Sequence, residues 1–155
     1  VVGNPQNMRK FVNLLENKKQ IKEDQVSLRD QMVERLKTAD KNDFWSIVHA
    51  IGWGSETTDS DLIKSALREV FTPTQIERLD NKAVEFRKAL QTRIWQYEKE
   101  HGIVNLYGVG DDGFWDVTAH VVGLGKDFYS QVMKDPGSYS GRGAVENFEY
   151  SFSKY

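Results

Sequence analysis

The sequence predicts an all-α, single-domain protein: a bundle of six to eight helices around a long central helix at about 73–101. Three observations carry this. Ile76, Leu79, Ala83, Phe86, Leu90, Ile94 and Tyr97 recur at spacings of three and four, the signature of one buried helical face. Helix-start and helix-stop residues punctuate the rest of the chain at helix-length intervals. Alternation with a period of two appears only near the C-terminal end, at Phe148, Tyr150 and Phe152, with no second strand to pair with it.

From the N-terminal end, Met8, Phe11, Val12 and Leu15 mark a short amphipathic helix over 7–18, led in by Asn4-Pro5. Leu28, Met32, Val33 and Leu36 mark a second helix over 23–38. The charged residues between them read as a solvated connection. Residues 1–40 either pack on the main body or form a helical arm for a partner. Asp40 or Asn42-Asp43 caps a third helix that turns Phe44, Ile47, Val48 and Ile51 inward and ends at Gly52-Trp53-Gly54. Trp53 between two glycines has two readings: a surface anchor for a partner, or a plug in the core. Thr57 to Ser60 supplies N-cap candidates for a fourth helix through Phe71. Thr72-Pro73, a cap followed by proline at the first helical position, begins what is expected to be the longest helix. Its stripe, widened by Val84 and Trp95, predicts neighbours on two sides. Ile103–Tyr107 is short enough to be extended and is the one place where a strand is allowed, with a loop preferred.

The densest run of signals lies between Gly110 and Ser140. Asp111 and Asp112 stand where carboxylates cap a helix. That helix buries Phe114, Val117, Val121 and Leu124 and leaves Asp112, Asp116 and His120 on the opposite face. Gly123 and Gly125 invite a turn, Phe128, Tyr129, Val132 and Met133 supply a second short helix, and Asp135-Pro136-Gly137 stops it. Gly137–Gly143 reads as a mobile loop. For Glu146–Lys154 a helix is preferred to a strand, because Phe148 and Phe152 share a helical face.

The run resembles a bacterial family, domain of unknown function 4240, on Phe44-Trp45, Asp111 to Phe114, Gly125 to Tyr129 and Asp135-Pro136. The resemblance spans roughly residues 43–140 and implies no activity, since the family has none to carry over. Gly108-Val109-Gly110 departs from the Cys or Ser that the family places before its Asp-Asp.

Composition narrows the function. The chain has 21 Lys and Arg against 23 Asp and Glu, a net charge of −2, and no cysteine. Disulfides, thiolate catalysis and cysteine zinc sites are excluded, and the absence of cysteine fits a cytoplasmic location. No basic stripe points to nucleic acid. A mean hydropathy of −0.60, with no run of eighteen apolar residues, points away from a membrane. Gly108-x-Gly110-x-x-Gly113 spells a dinucleotide fingerprint but lacks the strand–turn–helix context, so no cofactor is expected. No Gly-x-Ser-x-Gly elbow or His-x-x-x-His pair occurs either.

These exclusions lead to an expectation of a non-catalytic protein-binding module of a bacterial cytoplasm. Its partner is expected to be a protein, in an immunity- or antitoxin-type role, with Trp53, Trp115 and Tyr139 as contact residues; a homo-oligomer is the further option. The alternative is a small enzyme or metal-binding protein using the Asp111, Asp112, Asp116 and His120 face. One straight helix spreads Asp112, Asp116 and His120 over about 12 Å, too far for all three to reach one ion without a kink, which leaves a two-ligand site completed by Glu98, Glu100 or His101.

Overall fold

In the computed structural model, which describes residues 5–154, the chain is six α-helices and two short 3₁₀ helices, with no strand among the described residues. Asn4, half of the expected lead-in, lies outside them. The helices are α1 (Pro5–Thr38), α2 (Phe44–Ile51), α3 (Ser60–Val70), α4 (Pro73–His101), α5 (Asp111–Gly123) and α6 (Lys126–Lys134).

The two expected N-terminal helices are one. Lys19-Gln20-Ile21-Lys22 contains neither glycine nor proline and consists of residues that tolerate a helix well, so a run of charge does not stop it. At 34 residues α1 is longer than the 29-residue α4, which corrects the expected order of lengths. Only its last turns enter the body, burying Met32, Val33 and Leu36. Residues 6–27 are exposed along their whole length. The apolar face of α1 therefore runs past the edge of the core and carries on into solvent.

Helix boundaries in the body follow local chemistry closely. The Asp43 side chain accepts from the Trp45 backbone N–H at the start of α2, and Gly52 ends that helix with φ 70°. Asp59 caps α3 through the N–H groups of Asp61 and Leu62. Thr72 and Gln75 form a reciprocal capping box at the start of α4, each side chain taking the other's backbone N–H. At α5 the expectation fails: Gly110 is the cap residue and makes no side-chain bond. Asp111 and Asp112 are already helical, so they favour α5 through its dipole rather than by capping.

α4 touches α3, α5, α6 and both 3₁₀ helices, and it buries Leu79, Ala83, Leu90 and Ile94. It is the hub of the body. Trp95 is 56% exposed, however, and rests on Phe114 at 5.6 Å, so the stripe is narrower than the sequence suggested. Within the same core, rings of Phe44, Trp45, Phe86 and Tyr129 pack together, and the Tyr129 hydroxyl donates to the Phe86 carbonyl at 2.9 Å.

The C-terminal segment closes the body as a 3₁₀ helix, Phe148–Phe152, rather than the expected α-helix. Asn147 sits at φ 79°, which breaks any helix entering from the preceding residues. Phe148 and Phe152 are both buried and pack edge to face at 5.5 Å, while Tyr150 points out. A 3₁₀ turn, Pro136–Ser138, capped by Asp135, overlaps the start of the Gly137–Gly143 stretch.

Candidate functional site

α5 divides the residues the sequence singled out. Its outer edge and the C-terminal 3₁₀ helix form an open groove of about 460 Å³, lined by Asp112, Trp115, Asp116, Glu146, Glu149 and Tyr150. Four carboxylates thus face one opening beside two exposed aromatics, Trp115 at 42% and Tyr150 at 54%. Burial first, then the charges of Glu146 and Asp112, push the Asp116 carboxyl above the usual range. Burial also raises Glu149, with Asp116 adding to it, although Trp115 and Arg87 pull the other way. Its Oε2 is shielded from solvent and has no hydrogen-bond partner.

Beneath the groove lies Arg87 of α4, 2% exposed, with its guanidinium 3.1 Å from the centre of the Trp115 ring. Such a stack is a close cation–π contact. Burial lowers the Arg87 pKa, while Glu149 and Asp80 oppose that. One guanidinium nitrogen, Nη2, has no hydrogen-bond partner. Trp115 is therefore held by a cation below it and presents its other surface to the groove.

His120 leaves the face on which the sequence placed it. It is buried, and its Nδ1 accepts hydrogen bonds from Trp53 Nε1 at 2.9 Å and the Val145 N–H at 3.2 Å. Both contacts require the neutral ring with the proton on Nε2, and burial lowers its pKa accordingly. Asp112 and Asp116 stay at the groove without an imidazole, and among the described residues no three His, Cys, Asp or Glu side chains gather for a metal. Asp111 is exposed and lies outside the groove lining.

The three expected contact residues also separate. Trp53 is 3% exposed and packs on Phe148 at 5.1 Å, so it is the core plug and has no face for a partner. Tyr139 is half-buried against Tyr107 and Phe128, with its hydroxyl shielded and unpartnered. Trp115 alone of the three stands at a surface site. Glu146, Glu149, Tyr150 and Arg87 were not singled out from the sequence. Their assembly depends on the C-terminal segment folding back against α4 and α5, which no local pattern encodes.

The body is an all-α domain built on a central helix, with an acidic, aromatic groove on α5. Residues 39–154 match the model of a family described as a protein of unknown function, DUF4240, and the chain belongs to that family. The match begins where α1 ends and covers α2 through the C-terminal 3₁₀ helix. No curated protein and no solved structure matches the chain.

Proposed function

We propose that this chain is a non-catalytic protein-binding module of a bacterial cytoplasm, of the immunity or antitoxin type, and that the α5 groove receives a cationic segment of its partner. The observation that carries this reading is the groove itself: Asp112, Asp116, Glu146 and Glu149 around the exposed rings of Trp115 and Tyr150. Crowded carboxylates repel one another, and a lysine or arginine inserted among them relieves that repulsion. The aromatic rings add cation–π contact and apolar surface. His120, the imidazole that an enzyme would draw on, is engaged inward by Trp53 and Val145.

The test is capture from native cell extract by the wild-type chain and by D116K/E146K. The expected result is one stoichiometric partner that binds through a basic surface, is released by salt and is lost in the variant. A partner retained equally by the variant would remove the groove from the interaction.

A further inference from the structure

The exposed part of α1 carries an apolar face that the body does not cover. Met8, Phe11, Val12 and Leu15 lie on one helical face and are 45–58% exposed. Lys18, Lys19 and Lys22 continue the same face for the next turns. Over residues 6–22 there are five cations, Arg9, Lys10, Lys18, Lys19 and Lys22, against one carboxylate, Glu16. The body is opposite in sign: residues 41–155 hold thirteen Lys and Arg against seventeen Asp and Glu.

We propose that this face docks into the α5 groove of a second copy of the chain, lysines among the carboxylates and apolar turns against Trp115 and Tyr150. The proposal rests on the groove being a receptor for a cationic segment. Charge decides between the surfaces available. Arm against arm sets cations beside cations in either direction, because Arg9 and Lys10 lie at one end of the segment and the lysine triplet at the other. A bilayer would take the apolar turns but leave three lysines on the face meant to enter it, and it would repel the acidic body. The groove offers both kinds of surface side by side, four carboxylates next to the exposed rings of Trp115 and Tyr150. Only Glu23, at 4.0 Å from Lys19 on an exposed face, forms an ion pair with the triplet among the described residues.

Sedimentation velocity on the full chain tests this. The wild type is expected to shift from monomer to dimer with concentration and to return to monomer in high salt. K18E/K19E/K22E and D116K/E146K should each be monomeric with unchanged circular dichroism. Mixed in equal amounts, the two variants should form a heterodimer, since the reversed arm of one then meets the reversed groove of the other and the remaining arm and groove are both wild type. Wild type that stays monomeric at every concentration overturns the proposal. So does a dimer that survives groove reversal, which assigns the contact to the arms alone. A monomer that binds phosphatidylserine vesicles through the lysine triplet assigns the arm to a lipid surface instead. If the mass stays monomeric while D116K/E146K still abolishes capture of a heterologous partner, the groove reading stands and the exchange falls.

Discussion

Trp53 donates its indole N–H to Nδ1 of His120 at 2.9 Å, joining the loop after α2 to α5 across 67 residues of chain. The contact explains why both residues are buried. An indole N–H needs an acceptor once it leaves water, and a neutral imidazole supplies it without introducing a charge.

The bond has a pH dependence of defined sign. His120 has a folded pKa below its unfolded value of about 6.5. The unfolded chain therefore binds the proton more readily, so this site's contribution to stability is complete above about pH 6.5 and is lost as pH falls through the folded pKa. His120→Asn keeps an acceptor near Nδ1 but cannot titrate. The difference in melting temperature between wild type and this variant should be constant at alkaline pH and move against wild type as the solution is acidified. A pH-independent difference would mean that folding leaves the affinity of the ring for a proton unchanged.

Gly123 stands beside the same pair. A Cβ built there would lie 2.7 Å from Trp53 Cδ1 and 2.8 Å from Phe148 Cδ2. Both rings are buried and cannot swing away. In an exposed helix Gly→Ala gains up to about 1 kcal/mol; here overpacking should outweigh it, and G123A is expected to destabilise by about 1–3 kcal/mol in urea unfolding. The sequence places Gly123 at the far end of its helix before a turn, and it is the last residue of α5; what the sequence does not show is that two aromatic rings occupy its side-chain space.

Gly123 marks the limit of what was legible in the sequence: its place in the helix is a local property, its packing is not. Caps and periodicity act within four residues, and Asp43, Asp59 and Thr72-Pro73 mark their helices correctly because the hydrogen bonds they make are local. The inward face of α4 and the burial of Phe148 and Phe152 were legible for the same reason. Whether an amphipathic face is covered depends on distant chain, so Phe11 and Leu36 carry similar sequence signals but end up 58% and 0% exposed. The groove was half legible. Asp112 and Asp116 share one helix edge, but Glu149 and Tyr150 reach them only because Asn147 turns the chain and Phe148 anchors it.

The boundary between buried and free parts of α1 can be measured. Met32 and Leu36 are 1% and 0% exposed, and Ala at either should cost about 2–5 kcal/mol. Leu14 is 59% exposed, and L14A should change the unfolding free energy of the monomer by less than about 0.5 kcal/mol. A large effect at Leu14 in dilute solution would show that the arm folds back on its own body.

Glu149 offers a test of the groove's electrostatics that needs no partner. Its pKa is raised, chiefly by burial, so the folded protein holds the proton more tightly than the unfolded chain does. The sign is opposite to that of His120. Stability from this site is present below the unfolded pKa, about 4.5, and is lost as pH rises through the folded value. At neutral pH the charged carboxylate is therefore a net cost, despite Arg87 and Trp115 beside it. E149Q removes the charge and keeps the shape, so it should melt above wild type at neutral pH and match it in acid. If E149Q melts lower at neutral pH, the attraction of Arg87 exceeds the cost of burial, and the groove is better satisfied than its unpartnered Oε2 implies.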